Sequence, residues 1–249
     1  MSSLYAVYVC CIKPYVHGDS CVLEIGPGRG AWTKTLLGAK EVWCLDAKSR
    51  EDNEIDRELG RPANLVYHQV RDFRCLELPD DKFDYLFSFG ALCHVSWEGI
   101  VQYAHNLHPK LRRGANAFWM VADYDKSNAL RKDRWRYDVV SRVQAARRLR
   151  PLRALDRRLA VWLGRRSVFL GTLSEGGRAR LERLAGMRLF GRTEVPVKDK
   201  SEHLNPSAGR WYHAGAESTA ALLSEAGYEV VCQDVGLVHR DPIIHFRKP

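Results

Sequence analysis

Short apolar runs alternate with amphipathic stretches over most of the chain, and this spacing predicts alternating strands and helices. In chain order the pattern predicts strand Cys21–Ile25, helix Ala31–Leu37, strand Glu41–Leu45, helix Arg50–Leu59, strand Asn64–Val70, a fourth strand from Phe83 to its exit at Gly90, helix Trp97–Leu107 with Ser96 as its N-cap, and a buried fifth strand Ala117–Ala122. Helix Glu217–Ala226 and strands Glu229–Val235 and Ile243–Phe246 follow near the C-terminus. Strands joined by helical crossovers are typical of a parallel sheet.

The first predicted strand runs into a glycine-rich loop. Glycines stand at alternate positions, Gly26, Gly28 and Gly30, and a helical pattern opens after them. Because glycine lacks a Cβ and tolerates positive φ, the backbone there can approach a ligand closely. A strand, a tight loop and a helix in this order predict a nucleoside-containing cofactor. The spacing alone also satisfies the dinucleotide fingerprint, so it leaves two cofactor classes open.

Two carboxylates near this loop favour one of these classes. Glu24 lies on the strand before the first glycine, where a carboxylate suits the ammonium and sulfonium of S-adenosylmethionine better than a pyrophosphate. Asp46 ends the second predicted strand, where a carboxylate suits ribose hydroxyls. With these residues, the segment VLEIGPGRG resembles the first motif of the class I S-adenosylmethionine-dependent methyltransferases. The resemblance implies an α/β, Rossmann-like fold with a mostly parallel seven-stranded sheet and an antiparallel last strand, and S-adenosylmethionine as cofactor.

The same resemblance assigns cofactor contacts after the third and fourth strands. Asp72 stands where such enzymes commonly bind the adenine amino group, and Phe73 where an apolar neighbour lies against the ring. Phe89, at the exit of the fourth strand, is assigned to the cofactor site as well. The alternative for Asp72 is a solvated aspartate in a turn.

Acceptor-side residues are predicted after the fourth and fifth strands, because ligands of open α/β sheets bind outside the carboxyl ends of the strands. His94 falls where the loop after the fourth strand faces the transferable methyl, and we predict it as the general base, although it could be a packing histidine. Asp123 and Asp125 share one face if the backbone stays extended through Tyr124. They could act as base and orienter, or hold a divalent cation such as Mg²⁺, which the resemblance also leaves open. We predict Asp123 as the orienter of His94.

The chain leaves the minimal fold between residues 126 and 214, so we predict a core of residues 1–125 and 215–249 with a helical, arginine-rich insertion after the fifth strand. The insertion is predicted to be a cap, an acceptor wall or a dimerisation element, with helices Leu130–Leu149, Leu152–Leu163 and Arg178–Leu189. Its return carries Trp211, Tyr212 and His213. Aromatic rings and imidazoles suit a sugar acceptor, so Trp211 and Tyr212 are predicted to bind it together with Tyr124 and Asp125, and His213 is a further catalytic candidate. A structural hinge is the alternative.

Composition narrows the class of protein. The 249-residue chain has a formal charge of +9, but residues 131–166 alone contribute thirteen Arg or Lys against three Asp. This local excess argues against a nucleic acid as the main partner, since a surface that binds a polyanion more often covers a whole domain face. The seven cysteines form no CxxC pair, which indicates neither a disulfide framework nor a zinc site. No apolar run has the length of a membrane span, and a cytoplasmic protein is expected.

Finally, the stretch from Phe87 to His94 and the segment Ala122-Asp123-Tyr124-Asp125-Lys126 resemble bacterial O-methyltransferases that act on saccharides, including those of methylmannose polysaccharide assembly. The resemblance implies methyl transfer to a sugar hydroxyl by in-line displacement with a general base. A natural-product hydroxyl or amine is the alternative acceptor. A cofactor-binding RNA module, working through the arginines, is the alternative from another class.

Overall fold

The computed structural model describes residues 3–130 and 211–249. Close packing divides the chain into two units, one made of Met1–Lys126 with Asp199–Pro249 and the other of Ser127–Lys198. The strands and helices given below belong to the first unit. The three helices predicted in the insertion and the arginine-rich stretch 131–166 lie outside the described residues, apart from Leu130 at the start of the first helix.

Within the described residues, seven strands form one sheet in the order β3-β2-β1-β4-β5-β7-β6. The strands are β1 (Cys21–Ile25), β2 (Glu41–Asp46), β3 (Leu65–Gln69), β4 (Phe83–Ser88), β5 (Leu111–Met120), β6 (Glu229–Cys232) and β7 (Ile243–Arg247). Pairing is parallel from β3 through β5, and β7 is antiparallel to both of its neighbours. The predicted Rossmann-like arrangement with an antiparallel last strand is confirmed.

Helices cover both faces of this sheet. They are α1 (Ser3–Val7), which continues as a π-helix (Tyr8–Ile12), then α2 (Thr33–Leu36), α3 (Ile55–Leu59), α4 (Trp97–Leu107) and α5 (Ala216–Glu225). Because side chains alternate along a strand, neighbours on β1 belong to different apolar clusters. Leu23 packs with residues of α4 and α5, whereas Val22 packs with the N-terminal helices, α2 and α3. The two clusters bury the sheet on both sides.

Some predicted element bounds were wrong, and local backbone geometry explains why. β5 begins at Leu111 instead of Ala117: Phe83 pairs with Leu111 and Tyr85 with Asn116, so an irregular stretch that includes Gly114, with φ of 81°, lies inside the strand. α3 is shorter than the predicted helix Arg50–Leu59 because Glu54 has a left-handed φ of 50°. The N-cap of α4 is confirmed, since Ser96 Oγ accepts the Gly99 N–H at 3.3 Å.

Candidate active site

The loop between β1 and α2, residues Gly26–Gly30, is called the glycine loop here. Its three glycines have φ values of 70°, 53° and 86°. A Cβ at Gly26 would lie 2.1 Å from the Cβ of Ala91, and one at Gly30 would lie 2.8 Å from Leu59 Cδ1, whereas one at Gly28 would meet nothing within 4 Å. Gly26 therefore lets the loops after β1 and β4 touch, and Gly28 exposes backbone to open space at the carboxyl edge of the sheet.

Glu24 lies on the same face of β1 as Val22, between β2 and the start of α2. Its side chain is only 2% exposed. Its Oε2 accepts the Thr33 hydroxyl at 2.6 Å and the Cys44 thiol at 3.7 Å. Burial raises the pKa of this carboxyl to about 7, against the lowering effect of these hydrogen bonds. The carboxylate thus ties the strand before the glycine loop to the helix after it.

Asp46, at the end of β2, joins the glycine loop to the turn after β2. Its Oδ2 accepts the Gly28 N–H at 3.2 Å and its Oδ1 accepts the Lys48 N–H at 2.9 Å. The side chain is half-buried, and each carboxylate oxygen can accept more than one hydrogen bond. The Asp46 carboxylate, which is predicted to bind ribose, therefore lies at the carboxyl edge of the sheet, directly beside Gly28.

The two predicted adenine contacts point in different directions. Asp72 pairs with Arg74, whose Nη2 lies 2.7 Å from Oδ2, and this guanidinium lowers the pKa of the carboxyl. Phe73 packs edge to face with Tyr103 at 5.0 Å between ring centroids, against α4. Asp72 remains half-exposed near the sheet edge, while the Phe73 ring is turned toward the core.

An aromatic pair connects the loops after β1 and β4. The ring of Phe89 lies 4.8 Å from Trp32 and 6.3 Å from Phe87. Trp32 stands two residues after Gly30, and both Trp32 and Phe89 are partly buried in the cluster that contains the N-terminal helices. Phe89 therefore lies at the predicted edge, with Trp32 as a neighbour that the sequence pattern did not single out.

His94 ends a 3₁₀ turn, Leu92–His94, that follows β4. Its side chain is exposed, and its main-chain N–H donates to the Ala91 carbonyl at 2.9 Å. The imidazole lies perpendicular to the Trp211 ring, with 6.0 Å between centroids. The structure thus brings together two predicted acceptor-side residues that are far apart in the sequence.

Asp123 caps two helix starts, that of α5 and that of a helical segment that begins at residue 124, so the backbone is not extended through Tyr124 as predicted. Its Oδ1 accepts the N–H groups of Asp125 and Lys126 at 2.9 and 3.0 Å, and its Oδ2 accepts the Ala216 N–H at 3.1 Å. Asp125 itself is exposed. Asp123 as the orienter of His94 stays a prediction, and the contacts that the structure gives its carboxylate are those of a helix cap.

The segment 211–215 is hydrogen-bonded to the ends of β4 and β5. The Tyr212 N–H donates to the Cys93 carbonyl at 2.8 Å, the Tyr124 hydroxyl donates to the Trp211 carbonyl, and the Tyr124 N–H donates to His213 Nδ1 at 3.1 Å. Tyr124 and Tyr212 are 2% and 8% exposed, which leaves little of either ring for an acceptor. His213 Nδ1 accepts a hydrogen bond here, so a proton on this ring belongs on Nε2.

Arg240, in the loop between β6 and β7, covers the Trp211 indole. Its guanidinium carbon lies 3.7 Å from the ring centroid. Its Nε donates to Asp241 Oδ2 at 2.6 Å, and Asp241 is 1% exposed. We call His94, Trp211, His213 and Arg240 the acceptor edge.

Residues 22–114 match the family model described as a methyltransferase domain. This match covers the glycine loop, Asp46 and His94, which are the elements placed at the carboxyl edge of the sheet. The match covers less than half of the chain, and it identifies residues 22–114 as a methyltransferase domain. No curated protein matches the chain in sequence.

Solved structures share the fold of this methyltransferase. An S-adenosylmethionine-dependent methyltransferase from Mesorhizobium loti is 14% identical, with a TM-score of 0.57 over 99% of this chain and 98% of that one. A putative S-adenosylmethionine-dependent methyltransferase from Listeria monocytogenes is 13% identical, with a TM-score of 0.57 over 99% and 97% of the two chains. A structure described as a DhpI-SAM-HEP complex is 16% identical, with a TM-score of 0.54 over 98% of this chain and 85% of that one. At these identities the likeness concerns the fold.

S-adenosylmethionine is the cofactor of this methyltransferase, and the carboxyl edge of its sheet fits such a molecule. Gly28 leaves open space where a Cβ would otherwise stand, and Asp46 offers remaining acceptor capacity beside it. The Gly28 backbone and the Asp46 carboxylate would therefore hold the nucleoside. Glu24, in contrast, accepts hydrogen bonds from Thr33 and Cys44 at its Oε2. Its main contribution in this structure is therefore to connect the strand before the glycine loop to the helix after it.

Neither a metal site nor a membrane-spanning helix is found in the described part of the methyltransferase. Among residues 3–130 and 211–249, no group of three or more His, Cys, Asp and Glu side chains is placed to hold a metal ion. In the same ranges, none of the helices has the length and apolar character required to cross a bilayer.

Sequence reasoning missed Thr33, Trp32 and Arg240. Trp32 and Thr33 stand two and three residues after Gly30, so their position was a usable signal. Arg240 gave none, because its neighbour Trp211 is distant in sequence and only the packing of the loop after β6 brings the two together.

Proposed function

We propose that this methyltransferase transfers a methyl group from S-adenosylmethionine to a hydroxyl of a sugar or oligosaccharide. The observation that carries the proposal is the exposed His94 imidazole, held after β4 and beside the Trp211 indole. The loop that bears it adjoins the glycine loop, since a Cβ at Gly26 would overlap Ala91. The exposed His94 imidazole therefore belongs to a loop that touches the glycine loop, and we infer that the acceptor binds on this side.

Bound S-adenosylmethionine supplies an electrophilic methyl group. The acceptor hydroxyl is a weak nucleophile at neutral pH, so His94 takes its proton as attack proceeds. General-base assistance of this kind contributes on the order of 10²–10⁴-fold. The acceptor edge also accelerates the reaction by aligning acceptor and donor, because the translational and rotational entropy is then lost on binding and not in the reaction step.

The composition of the acceptor edge supports a saccharide. An indole offers a flat apolar surface, while imidazole and guanidinium groups offer hydrogen bonds to hydroxyls. These chemistries meet at Trp211, since the His94 ring lies 6.0 Å from its ring centroid and the Arg240 guanidinium carbon 3.7 Å from it. The similarity of the His94 and Asp123 segments to saccharide O-methyltransferases points to the same acceptor class.

We also propose that residues 126–214 form an insertion that closes the acceptor side and contributes to a homodimer. Support comes from its two ends, where Tyr124 binds Trp211 and His213 and where Lys126 forms an ion pair with Asp234 at 2.5 Å. These contacts attach both ends of the proposed insertion to described residues of the core. Sedimentation of the full chain tests the dimer, and a monomer at micromolar concentration would remove that part of the proposal.

An acceptor screen tests the reaction. Purified enzyme would be incubated with methyl-labelled S-adenosylmethionine and a panel of neutral and acidic oligosaccharides, phenolic natural products, small amines and RNA. We expect label in the oligosaccharides at an oxygen, located by mass spectrometry. Exclusive labelling of phenols or amines would replace the acceptor class, and labelling of RNA would favour the nucleic-acid alternative.

The role of His94 is tested with His94→Ala and with His105→Ala as the matched control, because His105 is an exposed histidine on α4 outside the acceptor edge. For the His94 variant we expect turnover lower by roughly 10²–10⁴-fold with unchanged affinity for S-adenosylmethionine. The control should keep full turnover. Equal loss of cofactor affinity and turnover in the His94 variant would make this residue structural.

A further inference from the structure

The Trp211 indole lies between two groups from distant parts of the chain. Arg240 covers its ring at 3.7 Å, and His94 meets it at a right angle with 6.0 Å between ring centroids. The first distance lies well within the range of a cation–π contact, and the second within that of an edge-to-face aromatic pair. The orientation of this indole is therefore linked to both residues.

The main chain of Trp211 is fixed independently of its side chain. Its carbonyl accepts the Tyr124 hydroxyl, and the next residue donates to the Cys93 carbonyl. These bonds place the Cα of Trp211 near His94, but they leave rotation about χ1 and χ2 to side-chain contacts. Arg240 supplies such a contact over the face of the ring.

Arg240 is itself held in place. Its Nε is 2.6 Å from the carboxylate of Asp241, which is 1% exposed. The Val121 N–H donates to the Pro242 carbonyl at 3.2 Å, which attaches this loop to the end of β5. A planar guanidinium bonded through Nε to a buried carboxylate has little rotational freedom, so it can fix a ring that stacks on it.

We propose that Arg240 is a positioning residue of the acceptor edge: it holds the Trp211 indole against His94, so that the acceptor meets a fixed wall beside the base. This inference rests on the proposed function of His94 and Trp211. Arg240 acts through Trp211, and its removal loosens the wall without touching the glycine loop or Asp46.

A fluorine NMR experiment tests the linkage without any acceptor. The full-length enzyme is labelled with 5-fluorotryptophan and loaded with S-adenosylhomocysteine, and the Trp211 resonance is assigned from Trp211→Phe. In the parent enzyme we expect the position of this resonance to change in His94→Asn, because the imidazole lies beside the ring. In Arg240→Leu we expect the resonance to move and the effect of His94→Asn on its position to fall at least about threefold, because a ring freed from its stack averages over several rotamers.

Two further variants keep the result interpretable. Arg240→Lys retains a charge beside Asp241 and should show an intermediate shift, which matters if the leucine variant folds poorly. Arg247→Leu is the matched control, since Arg247 is also half-exposed and paired with a carboxylate, Glu229, but lies on β7. An unchanged Trp211 resonance in both Arg240 variants, or an equal change in the Arg247 control, would overturn the proposal.

Kinetics separate this proposal from the proposed function. With an oligosaccharide that the enzyme methylates, Arg240→Leu should lower kcat/KM for the acceptor about tenfold, the scale of one aromatic contact, with unchanged affinity for S-adenosylmethionine. If no saccharide is methylated, the proposed function fails and the NMR result still decides the role of Arg240. If a saccharide is methylated equally well by the parent and the leucine variant, the positioning role fails and the proposed function stands.

Discussion

Replacement of Glu24 by glutamine should change how the stability of the cofactor-free enzyme depends on pH. The carboxyl is 2% exposed, and burial raises its pKa from 4.5 to about 7. Between these pH values the folded state keeps a proton that the unfolded state has lost. The free energy of unfolding therefore falls as pH rises through this window, and the stabilisation present below pH 4.5 is gone above pH 7.

The size of the effect follows from the same two values. At about 1.4 kcal/mol for each pH unit, the ionised carboxylate costs the fold about 3 kcal/mol above neutral pH. Glutamine resembles the protonated acid, and its carbonyl can still accept the Thr33 hydroxyl. We therefore expect the stability difference, variant minus parent, to rise by about 2.5 kcal/mol between pH 5 and pH 8. Any packing cost of the amide is independent of pH and does not alter this slope.

Urea unfolding at several pH values, followed by circular dichroism, measures the slope. Glu41→Gln is the control, because a hydrogen bond from Lys82 and one from Trp43 lower the pKa of the Glu41 carboxyl. The free energy of unfolding of this variant, relative to the parent, should therefore fall as the pH rises. Parallel pH profiles for the parent and Glu24→Gln would refute the reasoning, because they would show that Glu24 ionises in the folded state as readily as in water.

Three further predictions concern the glycine loop, the cofactor and the helix caps. Gly26→Ala should destabilise the fold by at least about 2 kcal/mol in urea unfolding, since its Cβ would overlap Ala91, whereas Gly28→Ala should cost about 1 kcal/mol because only its positive φ is unfavourable. Asp46→Ala should weaken S-adenosylmethionine binding by roughly 1.5–3 kcal/mol in calorimetry, and an unchanged affinity would remove Asp46 from the cofactor site. Asp123→Ala should lower stability by roughly 2 kcal/mol through lost caps, and a stability equal to that of the parent would contradict the contacts assigned to this carboxylate.

Much of the fold could be predicted from the sequence because its signals are local. Apolar runs separated by amphipathic stretches predicted the strands of the sheet, and the parallel order followed from the crossovers between them. The glycines at positions 26, 28 and 30 marked the loop after β1, because positive φ is a property of single residues. Asp46 was found for a similar reason, since it directly ends a strand of the recognised pattern.

The acceptor edge was decided by tertiary structure. Asp123 was predicted to orient His94. In the structure its Oδ1 accepts N–H groups two and three residues ahead, and its Oδ2 accepts the Ala216 N–H, which only the approach of α5 to the end of β5 supplies. Tyr124 looked like an acceptor contact, yet its hydroxyl binds a carbonyl that is 87 residues away along the chain. The stack of Arg240 on Trp211 likewise depends on the docking of the loop after β6. The sequence alone determined which strands form and where the cofactor loop stands. The direction and burial of each side chain at the acceptor edge depend on contacts between distant segments, and these contacts exist only once the sheet has assembled.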